Sequence, residues 1–241
     1  MIDLKSRFKE FCESNKFEIN SKQIEIIELL EKFFKSEKKP LFFLKREKLK
    51  SCFYLYGDVG VGKTMILNFV YDMIRVNKMK SHFNEFMIKF HNFRHEKKDN
   101  KSILQFVKEL KKKYKLIYLD EFQVTNIVDA MILGKLFKTI FTEEIKIIIS
   151  TNTRPNELYM NGLQREQFIP FIDIIKKNSI QKELKLNNDY RIQISDKNRK
   201  IFYPLNEKNL FNINQNFRVL TKNLNKENKF IITKGRKFII K

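Results

Sequence analysis

The chain has 241 residues, 42% of them hydrophobic, and a formal net charge of +21. This length is enough for one substantial core and a small appendage, and no apolar run reaches the length of a membrane-spanning helix. The amino terminus lacks the apolar core of a signal peptide, and the two cysteines, Cys12 and Cys52, lack metal-ligand spacing. We therefore expect a cytoplasmic protein without a transmembrane segment.

The positive charge has two explanations. A strongly basic chain is typical of proteins that bind nucleic acid or an anionic membrane. However, Lys, Ile, Asn and Phe are abundant, Gly, Pro and Ala are scarce, and the lysines are scattered, as expected for drift in an AT-rich genome. The composition favours a solvated basic surface and leaves nucleic acid as a less favoured partner.

Two helices are predicted in residues 1–50. The first ends near Glu13, and the second begins near Asn20, a capping residue, and continues through Phe34. The lysine-rich stretch Lys35–Lys50 contains Pro40, and we interpret it as a basic connector.

A phosphate-binding loop follows. Residues 54–64 form an apolar strand and a glycine-rich turn that fit the pattern G-x-x-x-x-G-K-[ST] at every fixed position. In such a loop backbone amides surround a phosphate, Lys63 faces the β- and γ-phosphates, and the hydroxyl of Thr64 binds Mg²⁺. The predicted nucleotide-binding residues are Gly57, Asp58, Val59, Gly60, Val61, Gly62, Lys63 and Thr64.

Helices and apolar strands alternate after this loop, which indicates an α/β fold with a parallel sheet between helices. The predicted elements are a helix over Met65–Ile74, a strand at His82–Met87 leading into a helix, a helix over Ser102–Lys112, a strand at Lys115–Leu119, a helix over Ile127–Phe141 and a strand at Ile145–Ile149. His91 and His95 lie four residues apart near His82, but no third metal ligand is set by spacing, so we expect no metal site there.

Polar residues follow two of these strands. Asp120 and Glu121 stand where a mononucleotide-binding fold carries its acidic pair, so Asp120 is predicted to hold Mg²⁺ and Glu121 to polarise the attacking water. Asn152 ends the next strand, 152 − 120 = 32 residues later, which places it beside the strand of Asp120. It is predicted to orient the water, and a turn-forming role is the alternative.

Two arginines, Arg154 and Arg165, follow that strand. Neither is close in sequence to the phosphate loop, so we predict that one acts as an arginine finger on the ATP of a neighbouring subunit. Ordinary surface arginines are the alternative.

In this order the motifs look like an AAA+ ATPase. The run Leu119–Gly134, which contains Asp-Glu-Phe-Gln, and the segments Thr151–Tyr159 and Gly162–Phe171 closely resemble the ZapE family, bacterial relatives of the mitochondrial lactation-elevated ATPases. The resemblance extends from about Gln23 to the end and includes His82-Phe83, Phe86-Met87, His91, Asp189-Tyr190-Arg191 and Phe202–Leu205. It implies an AAA+ core at residues 51–191, Mg²⁺-dependent ATP hydrolysis and ring-like self-association. For bacterial members it implies action on the tubulin-like protein FtsZ at the division site.

A helix is predicted at Asn206–Thr221, followed by a hairpin of Lys229–Thr233 and Arg236–Ile240 with Lys234-Gly235 at its turn. Similar proteins continue into a helical lid with a nucleotide-sensing arginine. The resemblance thus implies that residues 192–241 are a shortened C-terminal region with the lid largely absent.

The favoured function is an ATPase that remodels a protein partner. A helicase loader of the DnaC type that holds single-stranded nucleic acid is one alternative, although the Phe residues lie mostly at core spacing rather than forming a stacking platform. A nucleotide-binding adaptor that hydrolyses nothing is another.

Overall fold

The computed structural model describes residues 3–35, 50–97, 101–185, 206–220, 229–233 and 236–240. Residues 36–49 of the predicted connector Lys35–Lys50, the motif residues within 186–205 and the hairpin turn at 234–235 lie outside this part of the chain. The chain divides into two compact units, Met1–Arg191 and Ile192–Lys241. Within the described ranges no helix combines the length and the hydrophobicity needed to cross a bilayer.

The first unit alternates helices and strands, and the second contains a helix and an antiparallel hairpin. In chain order the elements are α1 (Leu4–Ser14), α2 (Ser21–Lys35), β1 (Cys52–Tyr56), α3 (Lys63–Met73), β2 (Lys78–His82), α4 (Phe83–Lys97), α5 (Ser102–Lys113), β3 (Leu116–Asp120), α6 (Ile127–Thr142), β4 (Lys146–Thr151), a 3₁₀ turn (Pro155–Glu157), α7 (Arg165–Asn178), β5 (Ser179–Glu183), α8 (Glu207–Leu220), β6 (Lys229–Thr233) and β7 (Arg236–Ile240).

The sheet of the first unit has the strand order β2-β3-β4-β1-β5, and all its neighbouring strands are parallel. The predicted α/β fold with a parallel sheet is therefore confirmed. Because the strands are parallel, the carboxyl ends of β1, β3 and β4 lie at the same edge of the sheet, where this class of fold binds its ligands.

Hydrophobic clusters cover both faces of the sheet. Successive residues of β1 alternate between them, so Cys52 and Tyr54 pack with α4 to α7, whereas Phe53 and Leu55 pack with α1 to α3. The two N-terminal helices are therefore part of the core that supports the phosphate loop.

The prediction of a strand at His82–Met87 was wrong. The strand is β2, Lys78–His82, and α4 begins directly afterwards at Phe83. The aromatic residues were misread because Phe83, Phe86 and Phe90 have helical spacing and are buried in one cluster. Since β2 lies at the sheet edge and is half exposed, it carries no apolar pattern by which it could be recognised.

Two further elements were not predicted, α7 and β5. Pro170 lies inside α7 and normally argues against a helix, yet Phe168, Phe171 and Ile175 are buried at helical spacing. β5 is the other edge strand and is only partly buried. Both elements depend on contacts with β1 and α6 that are distant in sequence.

Some of the lysines stabilise the fold at the opposite edge of the sheet. The ammonium groups of Lys50, Lys78 and Lys146 donate to backbone oxygens at the carboxyl ends of α7, α3 and α2, at 2.5, 2.9 and 2.9 Å. A helix carries partial negative charge at this end and leaves carbonyls unpaired there. These three charges therefore have a structural use.

Candidate nucleotide-binding site

The phosphate loop connects β1 to α3, and its shape requires glycine at two positions. Gly57 has φ +151°, and a Cβ there would lie 2.1 Å from the backbone oxygen of Leu184. Gly62 caps α3 in the left-handed region, with φ +87°. The loop thus places the positive end of α3 at the cleft, where an anion would be stabilised.

Lys63, the first residue of α3, is 7% exposed and holds the loop together. Its Nζ donates to the backbone oxygens of Gly57 at 2.8 Å and Asp58 at 2.6 Å, and to Oδ1 of Asn152 at 2.9 Å. Three oxygen acceptors satisfy the buried ammonium group. The contact with Asn152 joins the loop to the end of β4.

Asp120 ends β3, and its side chain is 5% exposed. Its Oδ1 accepts from Ser150 Oγ at 2.5 Å, from the backbone N of Glu121 at 3.1 Å and from Thr64 Oγ1 at 3.5 Å. Three donors on one oxygen fix the orientation of the carboxylate. A hydroxyl and a carboxylate side by side suit Mg²⁺, which prefers oxygen ligands and retains several waters.

Glu121 differs from its neighbour because its side chain is 78% exposed. Its backbone has φ +54°, a rare conformation outside glycine, which turns the chain away from β3. Its Oε2 lies 3.5 Å from Nδ1 of His82 at the end of β2. Asp120 and Glu121 thus present one fixed, buried carboxylate and one exposed carboxylate.

These residues surround a cleft of about 500 Å³. Its lining comes from residues 59, 60 and 62–65 of the loop and α3, residues 120–123 at the carboxyl end of β3 and residues 150–153 at the carboxyl end of β4. The structure therefore brings Lys63, Thr64, Asp120, Glu121 and Asn152 together at one edge of the sheet.

The structure does not bring Arg154 or Arg165 into this lining. Arg154 donates to Glu183 at 2.9 Å, and this bond lowers the pKa of Glu183 and raises that of Arg154. Arg165 donates to the backbone oxygen of Asn156 at 2.6 Å, while its buried Nε has no hydrogen-bond partner among the described residues.

Three residues near the cleft had no predicted role in nucleotide chemistry. Ser150 donates to Asp120, and His82 lies beside Glu121. Gln23 of α2 is buried against the phosphate loop, and its Nε2 lies 3.4 Å from the backbone oxygen of Val61. Its Oε1 has no hydrogen-bond partner in the part of the chain that the structure describes. Correct placement of β2 would have revealed His82, and a lone amide among the apolar positions of α2 points to Gln23.

The other histidines of interest lie elsewhere. Nε2 of His91 lies 2.6 Å from Oδ1 of Asp129, and the other carboxylate oxygen of Asp129, Oδ2, accepts from Nδ2 of Asn126 at 2.7 Å. Among the described residues no group of three or more His, Cys, Asp or Glu side chains is placed to hold a metal.

The chain is similar to known proteins over most of its length. A model of the family described as AFG1-like ATPase matches residues 17–241. Lactation elevated protein 1 homolog B of Danio rerio is 34% identical over 168 residues, which cover 64% of this chain and 33% of that protein. Cell division protein ZapE of Escherichia coli K12 is 34% identical over 142 residues, which cover 58% of this chain and 38% of that protein. The matched part of the chain thus covers 33% and 38% of the length of these two relatives.

Solved structures share the fold. A DNA replication initiation factor superposes with a TM-score of 0.50 at 18% identity, covering 86% of this chain and 63% of that one. AMPPCP-bound DnaA from Aquifex aeolicus superposes with a TM-score of 0.50 at 17% identity, covering 87% of this chain and 65% of that one. At this identity the likeness concerns the fold alone, and it confirms the predicted P-loop core of the AAA+ type.

Proposed function

This chain belongs to the AFG1-like ATPase family, and on that premise we propose that it binds ATP with Mg²⁺ and hydrolyses it. The observation that carries the proposal is the 2.9 Å bond from Lys63 to Asn152, which joins the phosphate loop to β4, the strand beside that of Asp120. We assign the ATPase core to residues 51–191, residues 1–50 to supporting N-terminal helices and connector, and residues 192–241 to a C-terminal region.

Each residue has a distinct task in this proposal. The loop amides and Lys63 bind the phosphates, and Thr64 and Asp120 hold Mg²⁺, which neutralises phosphate charge when bound. Glu121 polarises the attacking water, and Asn152 exchanges its bond with Lys63 for one that orients this water. The Glu121 side chain is 78% exposed, so water has access to its carboxylate despite the contact with His82.

The test compares two variants by nucleotide binding and by phosphate release. Lys63→Ala is expected to lose nucleotide binding, because the charge that faces the phosphates is gone. Glu121→Gln is expected to keep binding and to lose turnover about 10²- to 10⁴-fold, the range typical of a general base. Equal turnover in Glu121→Gln would contradict the assigned role of Glu121.

We also propose that the chain self-associates and that one arginine acts across the subunit interface. Arg165 lies outside the lining of its own cleft, which supports donation of its guanidinium group to the ATP of a neighbouring subunit. Arg154 is engaged by Glu183 and is the second candidate.

We further propose that hydrolysis drives remodelling of a protein partner in the cytoplasm, with FtsZ or another division protein as the first candidate. The support is that one relative is described as a cell division protein. Co-sedimentation with FtsZ polymers tests this, and ATP-dependent binding is expected. Binding that is indifferent to the nucleotide would contradict a remodelling role.

A nucleotide-binding adaptor without hydrolysis is the second candidate. It is favoured by the contact of Glu121 with His82, which keeps the proposed base beside a neighbouring side chain. Firm nucleotide binding without phosphate release at any protein concentration would favour the adaptor over the ATPase.

A further inference from the structure

The two oxygens of Asp120 have different surroundings. Oδ1 accepts from Ser150, Thr64 and the backbone of Glu121. Oδ2 instead lies 4.0 Å from the ammonium nitrogen of Lys80. The oxygen that remains available to a metal ion therefore already faces a positive charge.

Lys80 is held in this position by three elements. It belongs to the edge strand β2, opposite Tyr118 of β3, and its Nζ lies 5.2 Å from the centre of the Tyr118 ring. The same Nζ donates to Oδ1 of Asn68 on α3 at 2.6 Å. A separation of 4.0 Å is too long for a hydrogen bond to Asp120, so Asn68 holds the ammonium close to the carboxylate without direct contact.

We propose that Lys80 sets the affinity of the Asp120 site for Mg²⁺, and that Asn68 sets the distance at which Lys80 acts. This rests on the proposed role of Asp120 in holding Mg²⁺. The ammonium group compensates the buried carboxylate before a metal ion arrives and repels the ion when it binds. Because Asp120 is nearly buried, solvent weakens this repulsion less than at an open surface.

The proposal predicts opposite effects for the two neighbours. Lys80→Met removes the repelling charge and keeps most of the aliphatic stem, so Mg²⁺ is expected to bind more tightly. Asn68→Ala releases Lys80, whose Nζ then reaches Oδ2 directly and competes with the ion. Loss of a merely structural contact would not produce changes of opposite sign.

The experiment titrates Mg²⁺ into the full chain with a fluorescent, non-hydrolysable ATP analogue and records the half-saturating concentration. Lys80→Met is expected to lower it about three- to tenfold and Asn68→Ala to raise it about threefold, as for moving one charge near a partly buried site. Lys89→Met, which removes an exposed charge from α4, controls for net charge and is expected to change nothing. Thermal unfolding establishes that each variant is folded.

Two outcomes would overturn the proposal in distinguishable ways. If Asp120→Asn removes the Mg²⁺ dependence while Lys80→Met leaves the half-saturating Mg²⁺ concentration unaltered, Lys80 has no such role. The same conclusion holds if Lys80→Met and Asn68→Ala shift that concentration in the same direction. If the Mg²⁺ dependence survives Asp120→Asn, the proposed role of Asp120 itself fails.

Discussion

Nδ1 of His82 lies 3.5 Å from the carboxylate of Glu121, across the ends of two neighbouring strands. The register of β2 against β3 pairs His82 with Asp120, so the residue that follows Asp120 emerges beside the imidazole. The proposed catalytic base is therefore placed by a strand that carries none of the phosphate-binding residues.

Removal of this contact is predicted to change turnover without changing nucleotide affinity. Because His82 holds the exposed Glu121 at the rim of the cleft, His82→Ala is expected to raise basal phosphate release about two- to fivefold, which corresponds to an exposed pair of less than ~1 kcal/mol. Steady-state ATPase assays measure the effect. His95→Ala, at an exposed position late in α4, is the matched control, and an equal effect of both changes would contradict the assignment.

Subunit complementation is predicted for Arg165. If it acts on the neighbouring subunit, inactive Arg165→Ala and Lys63→Ala proteins should regain activity when mixed, because some interfaces then contain both intact residues. Recovery of up to about one quarter of wild-type turnover is expected from random head-to-tail association. A mixture of Lys63→Ala with Glu121→Gln is the control, since both defects lie in the same cleft. Recovery in neither mixture at any ratio would count against Arg165.

Lys78 is predicted to stabilise the carboxyl end of α3. Its ammonium group donates to the backbone oxygens of Tyr71, Asp72 and Ile74 and lies 4.5 Å from the centre of the Tyr71 ring. Lys78→Met is expected to lower the free energy of unfolding by about 1–2 kcal/mol, because carbonyls lose a charged donor. Denaturant unfolding measures this change, which Lys89→Met should not reproduce.

Gln23 is predicted to affect binding more than stability. Its buried Oε1 has no partner within the described ranges, so replacement by Leu removes an unsatisfied polar atom and should change the free energy of unfolding by less than about 1 kcal/mol. The same change removes the contact with Val61 in the phosphate loop and is expected to weaken nucleotide binding about three- to tenfold, the worth of one hydrogen bond. Calorimetric titration with ADP tests this prediction. Unaltered affinity in a stable Gln23→Leu protein would show that α2 does not support the loop.

The central elements were predictable from the sequence because their patterns are local. The strands β3 and β4 are buried on both faces and appear as apolar runs, and the amphipathic helices α5 and α6 have clear spacing. The phosphate loop was recognisable because its glycines and Lys63 have fixed offsets. The edge strands β2 and β5 escaped prediction because one side of each lacks a strand partner in the described sheet and their residues are largely polar.

By itself, the sequence determined the phosphate loop, the α/β class and the residues Asp120, Glu121 and Asn152 as candidates, since each depends on residue type and short-range spacing. Only the tertiary structure decided which side chains hold them: Ser150 and Lys80 beside Asp120, His82 beside Glu121, and Gln23 beneath the loop. The site residues and the side chains that contact them lie at widely varying distances in sequence, because strand order and register, rather than proximity along the chain, bring them together.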